Sequence, residues 1–88
     1  MKVSIVTITS NDDGNVEVTT KPFSTFEKAA KYLYGEYLDI KADNADSGIE
    51  YANDEVNKLT DESCEYFYIE DIVGYYWCSG NIYTMDVE

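Results

Sequence analysis

Six carboxylates in the middle of this 88-residue sequence are separated by three or four residues. They are Glu36, Asp39, Asp43, Asp46, Glu50 and Asp54. Acidic side chains can do acid–base work, bind a divalent cation or attract a basic surface. On one continuous helix, this spacing would form a stripe with neighbours roughly 5–6 Å apart. Only Lys58, four residues after Asp54, stands where it would neutralise one of them. Two interpretations follow: a functional acidic surface, or charge that serves solubility.

The charge balance of the whole chain narrows the classes of partner. Eighteen acidic residues face six lysines, with no histidine, and the net charge is −12. A net charge of about 2 to 8 is enough to keep a small domain soluble. Nucleic acid and anionic membranes are poor partners, because the cationic groups that neutralise phosphates are absent. The natural complement is a basic protein surface or a cation.

The sequence lacks the residues of common catalytic and metal sites. Without histidine the commonest general base is missing. Cys64 and Cys78 have no nearby cation to activate a thiolate, so both are expected to be buried, structural and free. A calcium loop around Asp13-Gly14 fails because Thr20 stands where a bidentate glutamate is needed. There is no phosphate-binding glycine loop and no zinc spacing. We therefore expect a protein that is not an enzyme and needs no cofactor or metal.

Location and domain count follow from similar observations. The N-terminus lacks the apolar region of a signal peptide, and no apolar run is long enough to span a membrane. With only two cysteines, a disulfide scaffold is not expected. The sequence predicts one domain, residues 1–88, in the reducing cytoplasm of a cell.

Secondary structure in the first half begins with a hairpin. β-Branched residues over 2–9 predict a strand, Asp13-Gly14 a tight turn, and the alternation over 16–20 a second strand. Ser24 and Glu27 match a capping box, and an apolar stripe predicts a helix over 25–38. The polar stretch 41–47 then predicts a loop.

The second half of the sequence predicts one more helix followed by three strands. Ser47-Gly48-Ile49-Glu50 matches a second capping box, so a helix is predicted over 48–59. Alternating aromatic residues predict strands over 64–70, 75–78 and 82–87, with a hairpin turn at 79–81. The order ββααβββ indicates an α+β fold, an antiparallel sheet with two helices packed on one face. The strand order cannot be read from the sequence.

In its size, its charge and its high content of tyrosine and acidic residues, the chain resembles the small acidic proteins of phages and mobile elements. This class includes anti-CRISPR and anti-restriction proteins. Several members of that class mimic nucleic acid. The residues that carry the resemblance are the six carboxylates together with Asp12, Asp13, Asp61, Glu62, Glu65, Glu70 and Asp71. The resemblance implies an inhibitor that occupies the basic nucleic-acid groove of a defence protein in the cytoplasm of a host cell.

Two functional hypotheses remain from the sequence. In the first, the six carboxylates create a negative electrostatic field that attracts a basic nucleic-acid-binding partner, and exposed tyrosines such as Tyr51 supply contact area. The protein then blocks the binding of nucleic acid to that partner. In the second, the chain is an assembly module that forms a homodimer through its aromatic sheet or an edge strand, and its acidity serves solubility. A further alternative is divalent-cation binding by the clustered acids, which predicts that calcium raises the melting temperature.

Overall fold

The β-rich N-terminal segment forms the expected hairpin. The structure is a computed structural model and describes residues 1–87. Strand β1 runs over Lys2–Asp12 and β2 over Asn15–Phe23, joined by Asp13 and Gly14. Both turn residues have positive φ, 52° and 90°, as a two-residue type I′ turn requires. The hairpin prediction is confirmed, with longer strands than the β-branched runs indicated.

Residues 1–87 contain one helix, α1, which spans Phe26–Asp46 and ends eight residues later than the predicted 25–38. Its N-cap is Thr25, one residue after the predicted Ser24, and the Thr25 hydroxyl accepts a hydrogen bond from the Lys28 amide. The helix continues through 41–46, where a loop was predicted. Asn44 on this last section is buried and donates a side-chain hydrogen bond to the Tyr51 hydroxyl.

The predicted second helix over 48–59 is wrong, because Ser47-Gly48 ends a helix instead of starting one. Gly48 has φ +72° and donates to the Ala45 carbonyl, while Ile49 donates to the Asn44 carbonyl. This pair of bonds is a Schellman motif, which satisfies the last carbonyls of α1. The chain then forms strand β3, Tyr51–Thr60, and strand β4, Ser63–Asp71.

The last strand, β5, runs without interruption over Tyr76–Asp86, so the predicted hairpin turn at 79–81 is also wrong. Gly80 lies in the middle of this strand, directly beneath α1. A Cβ atom there would lie 2.6 Å from Leu33 Cδ1 and overlap the Phe67 ring. Glycine is present at this position because another element approaches the backbone closely, not because the chain turns.

Replacing Gly80 by alanine is therefore expected to destabilise the protein by about 2 kcal/mol, since Leu33 and Phe67 are fully buried and have little room to move. Urea unfolding followed by Trp77 fluorescence measures the change. Gly35→Ala is the control: it adds the same methyl group at an exposed helix position with open space around it. That variant should gain about 0.5–1 kcal/mol. Equal effects of the two substitutions would contradict the packing argument.

The five strands form one antiparallel sheet in the order β2-β1-β5-β4-β3. This confirms the α+β class and the antiparallel sheet, with one helix instead of two and the order ββαβββ. Helix α1 covers one face, and the core between helix and sheet is built around Leu33, Phe67 and Ile69. Residues 1–87 contain no helix apolar enough to cross a membrane.

The opposite face of the sheet is left uncovered by the helix. Because side chains alternate along a strand, this open face receives every second residue of each strand, such as Val18, Thr7 and Tyr83. Cys64 and Cys78 point to the helix side, where both are buried and free, as predicted. Burial raises the pKa of each thiol to about 11.

Candidate protein-binding surface

Four of the six carboxylates lie on α1 as an acidic row: Glu36, Asp39, Asp43 and Asp46. Their spacing of three, four and three residues keeps them within about 80° of the helix circumference at 100° per residue. Asp39, Asp43 and Asp46 are exposed, and Glu36 is half-buried. The only ion pair within residues 1–87 joins Lys41 to Asp54. The acidic row therefore has no ion-pair partner in the described part of the chain.

The acidic row faces the β1–β2 hairpin. Tyr32 begins the same helical row, four residues before Glu36, and its ring packs against Phe23 of β2 with centroids 5.1 Å apart. Lys21 lies over the Tyr32 ring, 4.7 Å from the ring centroid, at this end of the row. From Tyr32 towards Asp46 the row then carries only carboxylates. Its field is therefore most negative over the C-terminal half of α1.

A groove of about 590 Å³, here called the hairpin groove, opens between this half of α1 and the hairpin. Its lining combines carboxylates with an apolar floor. The lining residues are Ile8, Ser10, Asp12, Asn15, Val16, Glu17, Ile40, Tyr76 and Cys78. Asp12 and Glu17 line the groove from the hairpin, and the helix contributes Ile40. Glu36 and Asp43 of the acidic row lie four residues before and three residues after Ile40, so they are its neighbours on the helix surface and flank the helix side of the groove. Negative charge thus borders the hairpin groove from two sides.

The chemistry of the hairpin groove suits a basic side chain. Ile8 and Ile40 offer apolar surface to the methylene stem of a lysine or arginine, whose charged head would remain near the rim. Asp12 and Glu17 are exposed carboxylates at that rim. Glu17 was not among the predicted binding residues. Its alternation with Val16 and Val18 indicates that it lies on the other face of the strand from those valines. Only the hairpin register, which pairs Glu17 with Ser10, places it on the helix side of the sheet.

The other three predicted binding residues do not join the acidic row. Glu50 lies in the connection after α1, where its carbonyl accepts a hydrogen bond from the Ile72 amide. Tyr51 and Asp54 lie on β3, at the opposite flank of α1 from the hairpin groove. The stripe predicted from spacing is thus divided, because the chain leaves the helix after Asp46 and continues as a strand.

Asp54 instead belongs to a polar cluster that ties α1 to the edge strand β3. Its carboxylate accepts a 2.6 Å hydrogen bond from the Tyr37 hydroxyl and pairs with the Lys41 ammonium. Lys41 also lies over the rings of Tyr37 and Tyr51. Partial burial would raise the pKa of Asp54, but the hydrogen bonds from Lys41 and Tyr37 outweigh it and lower that pKa. Asp54 is therefore a structural ion-pair partner.

Replacing Asp54 by asparagine is expected to cost about 1 kcal/mol of stability at pH 7, because Lys41 and Tyr37 lose a charged acceptor. The pKa of Asp54 is depressed in the folded state, so its contribution is present above the unfolded value of 3.8 and is lost as pH falls through the folded value. Urea unfolding at pH 7 and near pH 2 should show the difference between the wild type and D54N only at pH 7. An equal difference at both pH values would contradict this role.

Within residues 1–87, no group of three or more histidine, cysteine, aspartate or glutamate side chains is arranged to hold a metal ion. Comparison of the chain with protein-family models, with curated proteins and with solved structures found no match. The acidic row and the hairpin groove are therefore the features of this protein that indicate a function.

Proposed function

We propose that this protein is a binding inhibitor whose acidic row and hairpin groove dock on the basic surface of a nucleic-acid-binding protein and exclude its nucleic acid. The observation that carries the proposal is the combination of Asp12 and Glu17 in the lining of the hairpin groove with an acidic row that flanks Ile40 and has no ion-pair partner within residues 1–87. A nucleic-acid-binding defence component of a host cell is the partner class that fits, since the chain resembles acidic anti-defence proteins.

The spacing of the acidic row supports mimicry of a phosphate backbone. Residues three or four apart on a helix advance about 4.5–6 Å along its axis. A strand of duplex DNA carries one negative charge per about 3.4 Å of axis. The four carboxylates therefore present a line of negative charge, about 15 Å long, on a similar scale to a short run of phosphates. Lysines and arginines that hold phosphates would meet carboxylates in comparable positions.

The position of the acidic row also lowers the stability of α1, and solubility alone does not explain this position. The C-terminal end of a helix bears partial negative charge, so carboxylates are unfavourable there and cations are favourable. The last turn of α1 contains no basic residue, and Asp43 and Asp46 lie at this end. Solubility would be served equally by acids on loops and strands. The cost is consistent with selection for a negative field at this surface.

The test has two steps, capture and competition. The immobilised protein is exposed to lysate of the host cell at low ionic strength and eluted with a salt gradient, since exposed charge pairs weaken as salt screens them. Each captured protein is then titrated with labelled nucleic acid in the presence and absence of this chain. The proposal requires that the chain displace nucleic acid from a captured basic protein. Captured proteins that bind nucleic acid equally well with and without the chain would overturn it.

A further inference from the structure

The open face of the sheet contains a region without charge, which is unusual in a chain of net charge −12. This charge-free face consists of alternate residues of three neighbouring strands: Val16–Pro22 of β2, Val3–Asn11 of β1 and Trp77–Met85 of β5. Every side chain in the set is aliphatic, aromatic, hydroxyl or amide. Val18 and Tyr83 are 59% and 65% exposed, so the apolar members reach solvent.

The same side of the sheet becomes acidic on the remaining two strands. Glu55 of β3 is paired with Tyr68 of β4, and Glu70 of β4 is paired with Trp77 of β5. Since Phe67 and Ile69 point to the helix, Tyr68 and Glu70 point to the open side. The charge-free face therefore has the hairpin edge of the sheet on one side and carboxylates on the other.

The molecule also exposes more surface than its size predicts. A monomer of 10.0 kDa has an expected accessible surface of about 5,200 Å², whereas this chain has 5736 Å². Its overall dimensions are 44 × 29 × 17 Å. The shortest of these, 17 Å, corresponds to the thickness of one sheet and one helix. The excess of about 500 Å² is consistent with a sheet covered on one face only.

We propose that the charge-free face is a homodimer interface, in which two copies pack their sheets together about a two-fold axis that runs along β1. Charge selects a second copy as the occupant. Two chains of the same strong negative charge can approach only where neither exposes carboxylates, and a face without charge is complementary to itself. A basic partner would gain nothing on this face and would instead be drawn to the acidic row, on the other side of the sheet.

The direction of the axis follows from the strand order. An axis along β1 places β2 of one copy over β5 of the other, and β3 and β4 of the two copies then project from opposite edges. With strands about 4.8 Å apart, Glu70 and Glu55 would lie about 19 and 29 Å from their own counterparts across the sheet. An axis across the strands at Thr7 would instead stack β4 on β4 and β3 on β3. Glu55 is in register with Thr9, so it would lie only about 13 Å along the strands from its copy. The dimer leaves both acidic rows on its outer surfaces.

The size of the charge-free face sets the expected affinity. Three strands of about ten residues cover roughly 14 × 33 Å, or about 450 Å² on each copy. Two copies therefore bury about 900 Å² in total, which is below the size of stable specific interfaces and typical of weak, transient complexes. We expect a dissociation constant on the order of 10 µM, with dimerisation tightening roughly fivefold between about 50 and about 500 mM NaCl as salt screens the repulsion between copies. Binding at the acidic row would weaken over the same range, so the two proposals succeed or fail separately.

Sedimentation equilibrium at both salt concentrations tests the dimer. Val18→Glu with Tyr83→Glu places two carboxylates on the charge-free face and should weaken dimerisation more than tenfold. Ile72→Glu with Val73→Glu is the matched control: these residues are 62% and 67% exposed in the β4–β5 turn, so the charge change is the same. The control should dimerise like the wild type. A wild type that stays monomeric up to about 500 µM at high salt would overturn the proposal, and so would equal effects of the two pairs.

Cross-linking tests the axis itself. Thr7 is the central outward residue of β1, so an axis along β1 brings Thr7 of one copy opposite Thr7 of the other. Thr7→Cys should therefore cross-link to itself with a short bismaleimide, while Asp61→Cys in the β3–β4 turn should not. The native thiols are buried and do not compete. Cross-linking at position 61 but not at 7, or assemblies that grow beyond the dimer through the β2 edge, would overturn this arrangement.

Discussion

Replacing Asp39, Asp43 and Asp46 together by lysine is expected to abolish binding to a basic partner and, at the same time, to raise the thermal stability of the protein. The binding loss follows because the change reverses the charge of the acidic row beside the hairpin groove. The stability gain follows because lysines at 43 and 46 complement the helix dipole that the aspartates oppose, a lysine at 39 can pair with Glu36 three residues earlier, and the net charge of −12 is halved. Summed over the row, these terms amount to about 2 kcal/mol, or a rise in Tm of about 10 °C.

A matched variant separates the position of the charges from their number. Glu55, Asp61 and Glu62 are exposed residues of the β3–β4 hairpin, away from the hairpin groove, and their carboxylates accept no hydrogen bond within residues 1–87. Reversing these three to lysine changes the net charge by the same amount. This control should retain partner binding at moderate salt, measured by titration calorimetry against the captured protein. If both triple variants lose binding equally, net charge and not the acidic row determines the affinity.

The second large effect is alkaline unfolding. Burial raises the pKa of Cys64 and Cys78 to about 11. Burial also raises the pKa of Tyr37 and Tyr76 to about 12. At Tyr37 the hydrogen bond to Asp54 is a second, smaller cause. A raised pKa means that the folded state holds the proton more tightly than the unfolded chain. The resulting stability is complete below the unfolded values of 9.0 and 10.0 and is lost as pH rises through 11 and 12.

The magnitude is comparable to the whole stability of a small domain. A tenfold difference in proton affinity between the folded and unfolded states is worth about 1 kcal/mol for each group, so the four groups together contribute on the order of 5 kcal/mol. We expect the free energy of unfolding in urea to fall steeply between pH 9 and 11, also at high salt, where repulsion between carboxylates is screened.

Tyr37→Phe removes one of these groups and should flatten the fall. Tyr75→Phe, which changes an exposed tyrosine in the β4–β5 turn, should leave it unchanged. A free energy of unfolding that stays constant from pH 9 to 11 would contradict the argument.

Predictions from neighbouring residues were correct where a residue pattern is compatible with only one local conformation. Asp13-Gly14 predicted the first turn because a type I′ turn needs positive φ at both residues. The apolar stripe of Ala30, Leu33 and Tyr37 predicted the buried face of α1. The same reasoning failed at Ser47-Gly48 and at Gly80, because glycine serves helix ends, turns and close packing alike. Those uses differ only in what lies next to the glycine in space.

The missed strand β3 has a related cause. As an edge strand it buries little beyond Tyr51 and Val56, so it lacks the alternation that marks a half-buried strand. Ile49, Ala52, Val56 and Leu59 then fitted a helical period by spacing alone. Pairing with β4 decides the conformation of this segment, and in the first half of β3 the partners are 11 to 20 positions away, from Val56 with Phe67 to Tyr51 with Asp71.

The sequence by itself determined the strong negative charge, the α+β class, the first hairpin and the core face of the helix, because these follow from composition and from periodicity within a few residues. The tertiary structure alone decided which carboxylates act together. It brought Asp12 and Glu17 into one groove with Ile40, which Glu36 and Asp43 flank on the helix, and it assigned Asp54 to an ion pair with Lys41. It also gathered the uncharged residues of β2, β1 and β5 on one face. Each of these groupings depends on which strands are neighbours and on where the helix crosses them, and long-range pairing sets both.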